Sequence, residues 1–281
     1  MNSKDHKLFK HYPIQGTETI SAGEVPVPYH IYDGYSFFIG GTADFEAVKD
    51  LLKDEDLIPI QTNDGKAVMA IWVANFTSAS LNPHHELQIS VFVSKNTVPP
   101  LTFHPFNAIR ALNHQDVKML CYGLWNNTQE VVAYNRELLG LNARLTKSNI
   151  QRTGEMIKFD FEDVDTKTSI ISGSIRNTPT YSALFAFMSK LGFLNSMKLM
   201  FEPWTSMEIV NPKGVILDVN ATAKAFAKSD VNVLHAFDSS DSLHIEHHLY
   251  APLNFTPDMV QYADGCKFVY LHPERPISKN V

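Results

Sequence analysis

Only two cysteines, Cys121 and Cys266, occur in 281 residues. They are far apart and lack the close spacing of metal ligands, so a reducing compartment fits the chain, with one long-range bridge as the alternative. Positive charge is also short: 24 Lys and Arg against 30 Asp and Glu leave a net charge of −6, and no dense basic run occurs. That removes the electrostatic case for nucleic acid or an anionic membrane as a partner. A long apolar run is missing too. The richest stretch, Tyr181 to Leu194, is interrupted by Ser182, Ser189, Lys190 and Gly192 and is too short to span a bilayer. Met1 to Glu18 is polar, without the apolar centre of a signal peptide, so a cytoplasmic protein is expected. There is no Gly-x-Gly-x-x-Gly, Walker-type loop, Gly-x-Ser-x-Gly or Cys-x-x-Cys, which leaves nucleotide cofactors and standard serine-hydrolase chemistry without support.

What the chain has instead is aromatic residues, with 18 Phe, 10 Tyr and 3 Trp, a composition that favours a sheet-rich body with a filled interior. Residues 1–25 read as an irregular lead-in and 26–281 as one domain. Val25-Pro26-Val27-Pro28 is extended, because each proline restricts the residue before it. Strands are expected at Tyr35–Gly40, Ala67–Asn75, Leu87–Val93, Met207–Val210, Val215–Val219, Leu243–Leu249 and Cys266–Leu271, with a hairpin formed by Met156–Phe161 and Ser169–Ile175. Asp44–Leu52 carries Phe45, Val48, Leu51 and Leu52 at helical spacing. Asn126–Leu139 is a second helix, stopped by Gly140, and Tyr181–Leu194 a third. The sum is an α+β fold, mainly antiparallel β.

Three segments carry a family likeness. Pro28-Tyr29 precedes an aromatic strand, a short helix and the turn at Leu57-Ile58-Pro59. Asn135-Arg136-Glu137-Leu138-Leu139-Gly140 leads into Leu141-Asn142-Ala143-Arg144-Leu145. His248-Leu249-Tyr250-Ala251-Pro252-Leu253-Asn254 comes late. In order and spacing they resemble the acetoacetate decarboxylase-like superfamily. The resemblance implies an antiparallel sheet rolled into a cone-like barrel around an apolar cavity, a small-molecule substrate, no added cofactor and a homo-oligomer. Family chemistry uses a lysine whose pKa falls in an apolar pocket beside a second cation, and the family is itself the standard example of such activation. Aligned on the Arg-Glu-Leu block, the nucleophile's place is Ala143 and the helper's is Arg144. The family's substrate-binding arginine falls at Gly34, and its two acids at Ile71 and Glu86. Alanine cannot form an imine, so a divergent member without Schiff-base chemistry is implied.

Glu86, at the start of a strand, is then the candidate general acid or base, because apolar walls would raise its pKa; the plain alternative is an exposed strand-end carboxylate. Arg144 is a second candidate catalytic group that would hold a carboxylate in a two-pronged grip, or else form a structural ion pair. Asn142 and Trp72 are further candidate substrate contacts. Lys147 is a displaced candidate amine. It sits four residues past Ala143, or roughly 13 Å along a strand at about 3.3 Å per residue, which is too far to reach the same carbonyl. His244, Glu246 and His248 would share one face of a strand and form a candidate metal-ligand set, to which His84 and His85 could add ligands, the plain alternative being a solvated strand face. The leading expectation is a lyase acting on an oxo acid or a polyketide- or fatty-acid-like compound by decarboxylation, dehydration or cyclisation. A non-catalytic binding protein and a metal-dependent enzyme are the alternatives.

Overall fold

The computed structural model describes residues 3–101, 107–178, 205–215 and 218–272. In chain order the elements are α1 (Lys7–His11), β1 (Gly16–Ile20), β2 (Gly23–Val27), β3 (Tyr29–Ala43), α2 (Phe45–Leu51), β4 (Ile58–Pro59), β5 (Ala67–Ala79), β6 (His84–Ser94), α3 (Asn107–Leu112) and β7 (Lys118–Asn126). They continue with α4 (Gln129–Glu137), β8 (Ala143–Thr153), β9 (Met156–Asp163), β10 (Ser169–Arg176), β11 (Thr205–Val210), β12 (Thr222–Lys228), β13 (Val231–Ala236), β14 (Ser242–Ile245), β15 (Thr256–Asp264) and β16 (Lys267–Leu271). The fold is mainly β. No helix among the described residues is long and apolar enough to cross a membrane.

Strand pairing closes on itself. β3 pairs β5, β5 pairs β6, β6 pairs β7, β7 pairs β11, β11 pairs β12, β12 pairs β16, and β16 returns to β3. Two strands fork at this ring. β3 gives the outer half of one edge to β15, which carries β13. β7 gives the end of one edge to β8, from which β9, β10 and β14 follow. One apolar core lines the inside of the ring, with Tyr29, Phe38, Phe76, Phe92 and Phe268 among its residues. A second lies between the ring's outer face and the added strands, and includes Phe37, Ile71, Leu87, Trp125 and Phe159. β5 is buried on both faces and reads as a nearly unbroken apolar run, as such strands do.

Apart from Val215–Val219, the expected strands and hairpin are present, mostly longer than the pattern indicated. Helix α2 begins at Asp44, whose side chain accepts from the Ala47 N–H, an ordinary N-cap. Four expectations change. The lead-in contains a helix and the β1–β2 hairpin. Two pairings, β7 with β8 and β7 with β11, are parallel; the former is possible because α4 supplies the crossover a parallel neighbour needs. At Val215–Val219 the described residues are bends rather than strand. The strand expected to reach Leu249 stops at Ile245, where the N–H groups of Glu246 and His247 both point to the Ile170 carbonyl. The helix read at Tyr181–Leu194 lies outside the described residues.

Candidate active site inside the ring

β6 builds the site. Its odd positions Leu87, Ile89, Val91 and Val93 enter the outer core. Its even positions His84, Glu86, Gln88 and Ser90 are buried too, on the face toward the ring interior. Alternation normally places polar residues in water; here it places them inside a closed sheet. Glu86 is 4% exposed. Burial raises its pKa to about 7, opposed only by the Asn126 amide, which donates to Glu86 Oε2 at 3.2 Å. Asn126 is oriented in turn by Asn135, whose amide donates to Asn126 Oδ1 at 2.9 Å. Asn135 is the first residue of the Asn-Arg-Glu-Leu-Leu-Gly block, so that block sits directly behind the carboxyl group. The rest of the block is structural. Arg136 donates to the Ala143 carbonyl at 3.4 Å, Glu137 accepts from the backbone N–H and hydroxyl of Ser21 and so ties down the β1–β2 hairpin, and Gly140 takes a φ of 73° after the helix end.

Around Glu86 the interior is apolar with a few polar atoms. Trp72 faces Gln88 across β5 and β6 and packs edge-on to Phe268 at 5.5 Å. Its indole N–H is buried and finds no acceptor among the described residues. Gln88 donates to the Ser90 hydroxyl at 2.7 Å. The His84 ring lies between Asn82 and Tyr29, with Nδ1 2.9 Å from the Asn82 carbonyl and Nε2 2.6 Å from the Tyr29 hydroxyl. Burial lowers the His84 pKa to about 4. A neutral ring donating to the carbonyl through Nδ1 leaves Nε2 as the acceptor for the tyrosine proton.

β7 explains the facing of Asn126. Where it pairs with β6, Cys121 lies opposite Ser90 and Gly123 opposite Ile89, so Tyr122 is an extra residue in a bulge. Met119 and Cys121 face inward before the bulge, and Leu124 after it. The bulge shifts the phase, so Asn126 points in and Trp125 points out.

The sequence candidates therefore separate. Glu86 and Trp72 share the interior. Ala143, fully buried, belongs to the interior core. Arg144 does not join them: it lies opposite Trp125 on the outer face, and its charge bears on His247, Tyr250 and Tyr122 but not on Glu86. Asn142 is tied to β7, its carbonyl accepting from the Leu124 N–H at 3.3 Å and its amide donating to the Tyr122 carbonyl at 3.5 Å. Lys147 is exposed. Ile71 sits in the outer core, on the opposite face to Glu86. A side chain at Gly34 would meet the Asn75 carbonyl at 2.5 Å and the Phe76 Cα at 2.9 Å. The histidine set is not on one face, because the strand ends too early: His244, Glu246 and His248 are exposed while His247 is buried. His85 bonds Ser148, away from them, and no group of three or more potential metal ligands occurs among the described residues. Asn126 and Asn135 were absent from the candidate residues. The legible trace was the alternation of polar residues at His84, Glu86, Gln88 and Ser90.

A large curled mixed sheet closed around an apolar interior defines the class of fold. Among solved structures, the chain is similar to acetoacetate decarboxylase from Legionella pneumophila subsp. pneumophila strain Philadelphia 1, with a TM-score of 0.57 and 12% identity over 97% of this chain and 96% of that one. A second acetoacetate decarboxylase structure matches at 0.51 and 12%, over 89% and 91%. The enduracididine biosynthesis enzyme MppR complexed with pyruvate matches at 0.50 and 10%, over 88% and 89%. No protein-family model matches the sequence, and no curated protein matches it. The chain has the acetoacetate decarboxylase-like fold, shared with enzymes of more than one kind.

Proposed function

We propose that this protein is an enzyme that moves protons on a small or medium carbonyl compound held inside the ring, with Glu86 as the acid and base and without an imine. The observation that carries this reading is a single carboxyl group, 4% exposed, whose pKa burial raises to about 7. Such a group is close to half-protonated at neutral pH and can both take and return a proton. The reaction class is a lyase step. Glu86 as carboxylate removes a proton from the carbon beside the carbonyl, and the electron pair moves onto the carbonyl oxygen as an enolate. In a dehydration, Glu86 then returns that proton to the departing β-hydroxyl, releasing water and leaving the unsaturated carbonyl compound. The unpaired indole N–H of Trp72 is the donor assigned to the enolate oxygen. Arg144 has no part in this step, because it lies on the other face of the sheet. The structural neighbour complexed with pyruvate supports a small oxygenated ligand as the class. Self-association, implied by the family resemblance, belongs to the same proposal, with sedimentation as its test.

Proton NMR in deuterated buffer, with a panel of 2-oxo acids, 3-oxo acids and 3-hydroxy ketones, tests the reaction. The wild-type protein is expected to exchange or eliminate at the carbon beside the carbonyl for at least one member, and Glu86→Gln to lose that activity while keeping its fold. Activity retained in Glu86→Gln would remove the role assigned to Glu86. Borohydride added with the active substrate is expected to leave no adduct; a reduced adduct on any lysine would return the chemistry to a Schiff base.

A further inference from the structure

A second group of side chains lies on the other face of β7 and β8 and does not depend on the reading of Glu86. Arg144 is half-buried, and its side chain makes no hydrogen bond or ion pair among the described residues. β7 and β8 run parallel here and set it opposite Trp125. Trp125 is 1% exposed, and its indole N–H has no acceptor among those residues. The Trp125 ring meets His247 edge-on at 5.5 Å and Tyr250 at 5.7 Å, and His247 lies 5.0 Å from Tyr250. The backbone N–H of Leu249 donates to His247 Nδ1 at 3.3 Å, so Nε2 carries the ring proton.

Three N–H-bearing side chains are therefore neighbours on this face: Trp125 touches His247 and Tyr250, and the charge of Arg144 bears on both of those. The carboxylate whose charge Arg144 does influence, Asp163, stays outside ion-pair distance. Its Oδ1 is occupied by the N–H of Asp165 at 3.0 Å, the N–H of Thr166 at 2.9 Å and the Thr166 hydroxyl at 3.1 Å. A partly buried guanidinium with no carboxylate at ion-pair distance among the described residues keeps its donors open to an anion. Tyr250 also lines a cleft of about 150 Å³ whose other walls are Leu243, Ile245, Ala251, Asn254, Phe255 and Pro257.

We propose that Arg144, His247 and Trp125 form a binding site for a short-chain carboxylate, with the carboxylate on the Arg144 guanidinium and the alkyl tail running past Tyr250 into the cleft. The site is separate from the ring interior, since Trp125 and Asn126 are adjacent residues facing opposite ways.

The test follows the indole N–H signals of the nitrogen-15-labelled full chain, with the Trp125 signal assigned through Trp125→Phe. Hexanoate is expected to move that signal saturably. Hexanol, with the same tail and no charge, should bind at least about tenfold more weakly, as should hexanoate to Arg144→Gln, since a charge-assisted contact is lost. Arg144→Lys keeps the charge without the two-pronged grip, and should weaken hexanoate severalfold. Glu86→Gln should leave hexanoate binding unchanged. A Trp125 signal that does not respond, equal binding of hexanoate and hexanol, or unchanged affinity in Arg144→Lys and Arg144→Gln would overturn the site. Loss of hexanoate binding in Glu86→Gln would place the ligand in the ring instead. Inorganic phosphate binding as tightly as hexanoate would overturn the alkyl-carboxylate assignment.

Discussion

Glu86 shows how burial alone can prepare a reactive group. A carboxyl with an ordinary pKa of 4.5 is raised to about 7 by loss of water, and the one recorded opposing contact is an amide. The linkage has a definite sign. Between those two values the folded protein holds a proton the unfolded chain has released, so stability contributed at low pH is lost as pH rises toward 7. A shift of that size corresponds to roughly 3 kcal/mol at most. Glu86→Gln cannot ionise, so thermal melts of the variant and the wild type should lie close together near pH 4.5 and separate by pH 8, with the variant melting higher. Melting curves that stay parallel across that range would mean the carboxyl is not desolvated. His84 has the opposite sign. Its pKa is lowered from 6.5 to about 4 by burial, so it subtracts stability as pH falls below about 6.5, and His84→Gln should flatten that acid-side loss in the same melts.

The element that links family likeness to chemistry is the crossover β7–α4–β8. It carries Asn135 behind Asn126 and Asn126 behind Glu86. Asn135→Ala should destabilise the protein by about 1–3 kcal/mol, because it strands a buried amide oxygen. It should also move the pH midpoint of any Glu86-dependent activity upward, because a loosened Asn126 supports the ionised carboxyl less well; an unmoved midpoint would confine Asn135 to a structural role. Much of this region was legible: the helix expected at Asn126–Leu139 is present as Gln129–Glu137, shorter at its start because Asn126 is the last residue of β7. The parallel pairing was not, because two strands flanking a helix show their direction only once the crossover is built. The role of β6 was half legible. Its alternation marked a strand, but period two reports two unlike faces without telling water from a closed interior. Arg144 was misplaced for a related reason. An alignment counts residues, whereas a strand assigns them to faces, and the neighbour of an inward residue points out. Gly34 carries the same lesson. Restoring the family's arginine there, as Gly34→Arg, should lower the melting temperature rather than create a binding group, because the Asn75 carbonyl already fills the space.

For the whole molecule, two cores on either side of one closed sheet give two separate chemical environments, the inner holding an acid and the outer a cation. Ala143 lies fully buried on the inner side. If the loss of the lysine alone separates this ring from the Schiff-base chemistry of the enzymes it resembles, Ala143→Lys should gain a borohydride-trapped adduct with pyruvate or acetoacetate that the wild type lacks, although a buried amine will cost stability. Failure of a folded Ala143→Lys protein to form any adduct would show that more than one residue separates this interior from imine formation.

The extra residue in β7 has a consequence for how the chain tolerates change in length. Because Tyr122 is surplus to the pairing with β6, its deletion restores plain alternation and still leaves Asn126 turned toward Glu86, at the expense of the Tyr122 hydroxyl's bond to the Leu51 carbonyl. One residue removed from the regular run between Glu86 and Ser90 has no such slack and swaps inside for outside along the rest of that strand. Gene variants that drop a codon at position 122 should therefore survive where a missing codon at position 89 does not.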